Sequence, residues 1–268
     1  MQPDERYRAA VLAAVIWGLI QGVTEFLPVS SDGHLVVIPA FLNELGFDVE
    51  PPALATSAVL HLGTLVAMFV YFRHDVARVI RFRTDPEGRK IAFLVAIGTI
   101  PAAIIGLPLA DALNRFQTTI SNVGWALIGN GVILYLGYRM SSGHRRIMDM
   151  RVPDAILVGL AQAMALIPGI SRSGTTISVG SARRVEPLEA ARFSFLLGLP
   201  AVTGAGLLEL YRISDGGDFE PSLILGVLVA GITGYLAIGW LMASLKRVGL
   251  LPFSIYCLAV GALTVLVF

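Results

Sequence analysis

The chain has 268 residues, of which 55% are hydrophobic and only 15% are charged, and its formal net charge is +1. Soluble domains carry about 25% charged residues, so this composition is typical of an integral membrane protein. No basic face interleaved with aromatic residues suggests nucleic-acid binding, and the single cysteine excludes an intrachain disulfide and a paired-cysteine metal site.

Residues 9–48 contain an apolar run, a polar break and a second apolar run. The break reads Pro28-Val-Ser-Ser-Asp-Gly-His34, and the run after it is shorter than the roughly 20 residues needed to cross a bilayer. Irregular backbone inside a bilayer is tolerated only where protein or a water-filled cavity covers it. This pattern therefore predicts a re-entrant helix pair whose break faces an interior site.

Residues 153–182 repeat this design, with two short apolar runs around the break Pro168-Gly-Ile-Ser-Arg-Ser-Gly174. Six other apolar runs have the length of a membrane span, at about 54–72, 91–109, 120–138, 190–210, 223–242 and 250–268. We therefore predict an all-α polytopic membrane protein with six transmembrane helices and two re-entrant helix pairs. It would form a single membrane domain over residues 1–268.

Arginine and lysine residues are concentrated in alternate connections between the predicted spans. The basic connections lie at 73–90, 139–151, 183–184 and 246–247, whereas the connection at 212–220 is acidic. The positive-inside rule places basic connections in the cytoplasm. The charges alternate correctly only if the first broken segment enters and leaves from outside and the second does so from the cytoplasm. Both termini are then predicted to lie outside.

This layout predicts an inverted-topology repeat with halves at about 9–140 and 153–268. Each half would be one re-entrant pair followed by three spans, and the odd number of spans turns the second half upside down. At an offset of 141 residues, the matching pairs are Gln21 with Gln162, Ser30 with Ser171, and Gly33 with Gly174. Folds of this kind build their sites where the broken helices meet.

The first break follows two polar residues, Gln21 and Glu25, which lie four apart and so share one helix face. A charged side chain within a span costs about 2.5–3.5 kcal/mol on insertion scales and is retained mostly for function or a buried pair. The alternative for Glu25 is a carboxylate near a helix end that reaches water. Ser30 or Ser31 can cap the next helix. His34 is a candidate acid, base or nucleophile, or else an interfacial histidine with satisfied hydrogen bonds.

The second break carries an arginine among hydroxyl side chains, Ser171-Arg172-Ser173-Gly174-Thr175-Thr176. A guanidinium offers a planar fork of donors that suits phosphate oxygens, and the hydroxyls and a new helix N-terminus add donors beside it. Arg172 could instead simply neutralise Glu25, which would explain both charges but not the surrounding donors. An anion-binding nest that faces an acid and a histidine has the parts needed for phosphoryl transfer.

Both breaks resemble signatures of the undecaprenyl-diphosphate phosphatase family of the bacitracin-resistance type. The first signature corresponds to Gln21-Gly-Val-Thr-Glu25-Phe-Leu-Pro-Val-Ser-Ser-Asp-Gly-His34, and the second to Pro168-Gly-Ile-Ser-Arg-Ser-Gly-Thr-Thr176. The segments Phe193-Ser-Phe-Leu-Leu-Gly-Leu-Pro200 and Pro252-Phe-Ser-Ile-Tyr256 are similar to the family as well. The resemblance extends over nearly the whole chain, and the two signatures together are highly specific.

The resemblance implies an enzyme of the bacterial cytoplasmic membrane that converts undecaprenyl diphosphate to undecaprenyl phosphate outside the cytoplasm, with a divalent cation such as Mg²⁺ or Ca²⁺. The positions that match the family are Gln21, Glu25, Ser31, His34, Ser171, Arg172, Ser173 and Thr176. Gln21 stands where glutamate is commoner, which removes a charge from a cation site. Asp32 stands where threonine or serine is frequent and could restore that charge. Glu25 and Asp32 are therefore the candidate cation ligands.

We expect Arg172 and the amide groups after Ser171 to hold the diphosphate, while Glu25 neutralises charge beside it. The other candidate substrate-binding residues are Gln21, Ser30, Ser173, Gly174 and Thr176. Ser31 or His34 would attack the terminal phosphorus or activate water, and we favour Ser31 as the nucleophile with His34 as its partner. The prenyl tail would lie between helices, in contact with lipid.

Two other interpretations of the polar breaks are open at the level of sequence. The chain could be a transporter or flippase of a polyprenyl phosphate lipid, or a membrane scaffold whose polar groups satisfy one another. The acid and histidine beside the anion nest favour hydrolysis. His61 and Asn130 lie in full spans, where we expect them to bond neighbouring helices. The expected partners are a polyprenyl diphosphate lipid and the bilayer, and the sequence leaves a homo-oligomer open.

Overall fold

The computed structural model describes residues 3–214 and 221–268, and the described chain is helical, with turns, a short 3-10 helix and an isolated bridge between Arg145 and Val185. This confirms the predicted all-α class. The helices are α1 Pro3–Phe26, α2 Ser31–Glu44, α3 Leu54–Tyr71, α4 Arg73–Ile80, α5 Pro86–Gln117, α6 Ile120–Arg139, α7 Val152–Met164, α8 Arg172–Ala182, α9 Pro187–Ser214, α10 Leu223–Arg247 and α11 Leu251–Val267. Asp215, Asp218 and Glu220, which make the predicted connection at 212–220 acidic, lie outside the described residues.

Several of the described helices are long and apolar enough to cross a bilayer, which confirms a multi-pass membrane protein. The four that qualify singly are Arg8–Phe26 of α1, Pro86–Gly106 of α5, Ile120–Arg139 and Leu223–Arg247. Helices α3 and α4, bent by 82° at their junction, would together make a fifth. Helix α1 is longer than the first broken segment predicts, because it begins at Pro3, before the apolar run. Helix α1, predicted to be part of a re-entrant pair, is therefore as long as a membrane-spanning helix. Helices α2, α7 and α8 are short, as predicted.

The two breaks have the same local construction. Pro28 and Pro168 follow the ends of α1 and α7, where a residue without an amide proton cannot continue a helix. Ser30 then caps α2, its Oγ accepting from the Gly33 amide at 3.3 Å. Ser171 caps α8, its Oγ accepting from the Gly174 amide at 3.1 Å. These caps are local hydrogen bonds. The Ser30 cap confirms the prediction for the first break, and the Ser171 cap is its counterpart in the second.

The two ends of the second broken segment lie together. Asp154, in the first turn of α7, accepts from the Arg183 Nε at 2.8 Å, and Arg183 is the residue that ends α8. The same carboxylate accepts from the Arg145 guanidinium at 2.7 Å and from the Arg151 amide at 2.9 Å. The segment Val152–Ala182 therefore forms a closed helical hairpin whose start and end share one buried carboxylate.

Close helix crossings hold both hairpins in the bundle. Helix α1 packs along α10, and α7 packs along α5. A methyl group on Gly18 of α1 would collide with the Gly226 carbonyl of α10, and one on Gly159 of α7 would collide with the Gly98 carbonyl of α5. Small residues let the backbones approach at such crossings. The first and seventh helices are thus each locked against a long helix, which fixes the position of the break that follows.

Candidate active site

The two breaks touch each other at the centre of the site. The Gly169 amide of the second break donates to the Ser30 Oγ of the first at 3.2 Å. Ser173 Oγ donates to the Leu27 carbonyl at 3.3 Å. The expectation that the two breaks meet is confirmed, although they lie about 140 residues apart in the chain.

Asn130 of α6 ties the two breaks together, which sequence reasoning did not anticipate. Its side chain is fully buried. The Nδ2 group donates to the Pro28 carbonyl at 3.0 Å, and the Oδ1 atom accepts from the Ser171 amide at 3.0 Å. The prediction that Asn130 bonds a neighbouring helix is confirmed by its contact with the Cys257 Sγ of α11 at 3.3 Å. Its bonds to the two breaks make it a support of the site.

Glu25 at the end of α1 is the residue on which the site converges. Its Oε1 accepts from the Arg172 Nη2 at 2.7 Å. Its Oε2 accepts from the Ser31 hydroxyl at 2.7 Å and from the Gln21 Nε2 at 3.1 Å. The Glu25 side chain is only 7% exposed. The structure therefore brings together Gln21, Glu25, Ser31 and Arg172, all of which the sequence singled out.

Arg172 faces Glu25 and retains a donor. The Nη1 atom of Arg172 is buried and has no hydrogen-bond partner among the described residues. It lies against Gly198 of α9, where any side chain would collide with the guanidinium. Buried donors are normally paired, so this nitrogen is a donor that Glu25 leaves unused.

His61 of α3 belongs to the same cluster, which sequence reasoning missed. Its Nε2 lies 3.3 Å from the Glu25 Oε2, and its Nδ1 lies 2.8 Å from the Ser57 carbonyl. The prediction assigned it only a bond between helices. The signal that could have found it is its ionisable side chain within a span, for which function is the default expectation.

His34 lies beside the site but makes its hydrogen bonds elsewhere. Its Nδ1 lies 2.7 Å from the Ser30 carbonyl and its Nε2 lies 2.7 Å from the Tyr256 hydroxyl. The imidazole stacks on the Tyr256 ring at 5.6 Å and is only 3% exposed. Both ring nitrogens are therefore occupied by partners other than Ser31, and the proposed pairing of Ser31 with His34 has no hydrogen bond to support it.

The other predicted residues of the second break bond within the break and to neighbouring backbone. Thr176 Oγ1 donates to the Arg172 carbonyl at 2.6 Å and is also bonded to the hydroxyl of Ser194 in α9. The Ser171 and Ser173 hydroxyls lie 3.1 Å apart. Of the predicted anion-binding residues in this break, Ser171 and Arg172 line the cavity described next, whereas Ser173, Gly174 and Thr176 do not.

A cavity of about 320 Å³ opens beside Glu25. Its polar lining consists of Glu25, Ser31, Asp32, Ser57, His61, Ser171 and Arg172. Its apolar lining comes from Ala58 of α3, from Ala165, Leu166 and Ile170 after the end of α7, and from Ala201 and Val202 of α9. Asp32 and Ser57 also line a neighbouring groove of about 530 Å³. Leu35, Val36, Pro39 and Ala40 of α2 make part of the wall of that groove. This cavity, the polar chamber, therefore continues into an apolar groove.

The fit of a divalent cation differs between the two candidate ligands. No group of three or more His, Cys, Asp or Glu side chains that could hold a metal occurs among the described residues. Both oxygens of Glu25 already accept hydrogen bonds. Asp32 is an exposed carboxylate in the cavity wall. Mg²⁺ is commonly held by one or two carboxylates together with substrate phosphates. Asp32 fits this arrangement. Glu25 could bind the cation only by giving up one of its present hydrogen bonds.

Known proteins match the chain over nearly its whole length. The family model described as bacitracin resistance protein BacA matches residues 14–263, which include both breaks. The chain belongs to the BacA family. The family resemblance of the two signatures is therefore confirmed, and the residues gathered around Glu25 lie within the matched region.

Several members of the BacA family carry the name undecaprenyl-diphosphatase. The protein from Desulforudis audaxviator is 41% identical over 257 residues, covering 94% of this chain and 95% of its own. That from Methanosphaera stadtmanae is 38% identical, covering 96% of this chain and 97% of its own. That from Thermomicrobium roseum is also 38% identical, covering 96% and 98% respectively. The chain thus matches these relatives over nearly their whole length.

Proposed function

We propose that this protein is an undecaprenyl-diphosphatase, which hydrolyses undecaprenyl diphosphate to undecaprenyl phosphate and inorganic phosphate. The observation that carries the proposal is the convergence of Glu25, Ser31 and Arg172 in one cavity. The names of the BacA relatives supply the lipid substrate, and the product would return to cell-wall synthesis as a carrier.

Arg172 binds the terminal phosphate in this proposal. Its Nη2 is held by Glu25 while its buried Nη1 lacks a partner among the described residues. A guanidinium donates in a fixed fork to phosphate oxygens, and Arg172 also begins α8, where the N-terminal end of the helix favours an anion. The phosphate would therefore lie between Arg172 and the Ser31 hydroxyl.

Ser31 is the nucleophile and Glu25 accepts its proton. The Ser31 hydroxyl already donates to the Glu25 Oε2 at 2.7 Å, within the reach of a general base. As Oγ bonds to the terminal phosphorus, its proton passes to Glu25 and the bond to the bridging oxygen breaks, releasing undecaprenyl phosphate. Glu25 passes this proton to the departing phosphate oxygen and is then free to act as a base again. Water next attacks the phosphoserine, and Glu25 takes a proton from that water. Glu25 returns this proton to Ser31 Oγ as the P–Oγ bond breaks, and inorganic phosphate leaves.

The groove beside the cavity is the proposed path of the prenyl tail. It begins at Asp32 and Ser57, which also line the polar chamber, and its α2 wall is apolar. Burial of apolar surface is favourable at roughly 25 cal/mol per Å², so the first isoprene units gain stability there while the diphosphate stays in the chamber. A divalent cation would bind Asp32 and the phosphate oxygens and neutralise their charge.

We also propose the inverted-topology repeat, with six spans and two re-entrant pairs. The closed hairpin from α7 to α8 supports it, since both of its ends meet at Asp154. A further pair at the offset of 141 supports it too, because Gly18 and Gly159 make equivalent crossings, α1 with α10 and α7 with α5. The approximate halves are 9–140 and 153–268.

The same arrangement supports the proposal that the active site faces outside. The groove is lined by residues 51–53 and 117–120, at the start of α3 and at the junction of α5 with α6. The basic connections at 73–90 and 139–151 lie at the opposite ends of these helices. Because basic connections stay in the cytoplasm, the groove opens toward the outer side of the cytoplasmic membrane, the side on which both termini are proposed to lie.

The test is release of inorganic phosphate from undecaprenyl diphosphate by the purified protein in detergent, with and without a chelator. We expect release by the wild type, with kcat/KM lowered roughly 10²–10³-fold in Arg172→Ala because one charge-stabilising group is lost. Glu25→Ala should lose activity as well. If folded wild-type protein released no phosphate but translocated lipid in liposomes, the transport alternative would be favoured. The names of the relatives do not favour that alternative.

A further inference from the structure

His61 projects from the middle of α3 into the polar chamber, although neither signature of the BacA family includes it. Its Nε2 lies 3.3 Å from the carboxylate of Glu25, and its side chain is 20% exposed against 7% for Glu25. The imidazole therefore stands between the buried carboxylate and the open part of the cavity. The catalytic steps proposed above assign it no task.

The groups that face the two ring nitrogens of His61 determine the orientation of the ring. The Nδ1 atom lies 2.8 Å from the Ser57 carbonyl, and a carbonyl oxygen only accepts. Nδ1 must therefore carry a proton, and Ser57 fixes the orientation of the ring. The partner on the other side, the Glu25 carboxylate, also only accepts. Nε2 thus faces the Glu25 Oε2 at 3.3 Å as an ion-pair partner.

Side chains from four helices surround the Glu25 carboxylate. Gln21 of α1 and His61 of α3 approach Oε2 at 3.1 Å and 3.3 Å, while Arg172 of α8 holds Oε1 at 2.7 Å. Ser31 reaches the same Oε2 at 2.7 Å. A carboxylate held from several directions cannot rotate freely, so Oε2 stays directed at the Ser31 hydroxyl.

We propose that His61 is a positioning residue for the phosphatase reaction. It holds the Glu25 carboxylate so that Oε2 receives the Ser31 proton when Oγ attacks the terminal phosphorus. The P–Oγ bond forms as the P–O bond to the lipid phosphate breaks, and the leaving undecaprenyl phosphate takes the electron pair. This inference rests on the proposed function, in which Ser31 is the nucleophile and Glu25 the base.

Two neutral amide substitutions separate the hydrogen bond of Nδ1 with Ser57 from the contact of Nε2 with Glu25. In His61→Asn the shorter amide can replace Nδ1 and keep the bond to Ser57, but it does not reach Glu25. In His61→Gln the longer amide places an N–H donor where Nε2 lies. A misplacement of about 1 Å can cost about 10²-fold in rate. We expect kcat of His61→Asn to be about 10²-fold below that of the wild type. We expect kcat of His61→Gln to be at least about tenfold higher than that of His61→Asn.

The measurements are kcat and KM for phosphate release, together with thermal unfolding of each variant in detergent. KM should change less than about threefold, because Arg172 rather than His61 binds the phosphate. His74→Ala is the matched control, since His74 is an exposed histidine on α4 outside the cavity, and it should behave as the wild type. Equal kcat in His61→Asn and wild type, or equal losses in His61→Asn and His61→Gln, would overturn the inference.

A double-mutant cycle shows whether His61 acts through Glu25. We expect Glu25→Asp, which shortens the base, to make the loss caused by His61→Asn much smaller, because the two residues share one interaction. Fully additive losses would contradict the proposed coupling. Active wild type with unaffected His61 variants would reject this inference alone, whereas an inactive, folded wild type would reject the proposed function itself.

Discussion

Glu25 shows how a single charged side chain can organise a site inside apolar helices. A buried carboxylate is tolerated when both oxygens accept hydrogen bonds, and here Arg172 supplies a charged donor to one oxygen while Ser31 and Gln21 donate to the other. Removing one partner of a buried ion pair is strongly destabilising because the other charge is left uncompensated. At the scale of the residue, the ion pair and the nucleophile are thus parts of one arrangement.

Ser31→Ala tests the nucleophile directly. We expect kcat to fall at least about 10³-fold, since loss of the attacking group leaves only binding and electrostatic stabilisation. A rapid quench of the wild type should trap a phosphoserine at Ser31, detected by mass spectrometry.

Ser57→Ala is the control for that experiment, because Ser57 lines the same cavity without bonding Glu25 through its side chain. It should retain both turnover and the trapped phosphoserine. A phosphoryl group found on His34, or an active Ser31→Ala protein, would show that the nucleophile is another residue.

The second broken segment depends on one carboxylate at its base. Asp154 accepts hydrogen bonds from the Arg145 and Arg183 side chains and from the Arg151 amide, joining the start of α7 to the end of α8. Burial by itself would raise the pKa of Asp154, but these donors together lower it from 3.8 to about 2. At the scale of the element, the hairpin that presents Arg172 is closed by a charge cluster on the side of the basic connections.

This pKa shift predicts how the hairpin responds to acid. Because the folded-state pKa of Asp154 is depressed, its contribution to stability is present above pH 3.8 and is lost as the pH falls from there toward about 2. We expect Asp154→Asn to unfold at a lower temperature than the wild type at pH 6, with the difference shrinking toward pH 3. Thermal unfolding in detergent across this range measures both.

Asp149→Asn is a suitable control for the acid experiment. Asp149 lies in the same connection, and among the described residues its carboxylate accepts only from the Arg146 amide, at 2.9 Å. It should leave the pH dependence largely unchanged. A constant difference between Asp154→Asn and the wild type down to pH 3 would mean that the Asp154 charge does not hold the hairpin.

The whole molecule places a polar chamber and an apolar groove side by side, away from the basic connections. The chamber holds Glu25 and Arg172, and the groove continues from Asp32 along α2. A lipid with a diphosphate head needs both surfaces at once, since the head must be neutralised while the tail stays in an apolar environment. The arrangement therefore suits a substrate that never leaves the bilayer.

Cysteine labelling tests the proposed orientation of the molecule. Ala53 lies in the wall of the groove and Ser142 on the side of the basic connections, and both are exposed. We expect a membrane-impermeant maleimide to label Ala53→Cys in intact spheroplasts and Ser142→Cys only after permeabilisation. The native Cys257 is buried and should stay unlabelled. The reverse pattern would place the site on the cytoplasmic side.

Local features of this protein were determined by the sequence itself. The membrane class follows from composition, the shared face of Gln21 and Glu25 from a spacing of four, and the caps by Ser30 and Ser171 from hydrogen bonds to amides three residues away. Such features depend on neighbours within one helical turn, so a linear pattern records them. The two signatures predicted that distant residues share one site only through their resemblance to a known family.

The tertiary structure decided which distant residues complete the site. It joined His61 rather than His34 to Glu25, made Asn130 the link between the breaks, and turned Thr176 toward the helix backbone. These outcomes depend on where helices cross and how they are rotated about their axes, and both are set by packing between residues far apart in the chain. A pattern of apolar and polar residues states which face of a helix is polar, but not which partner that face meets.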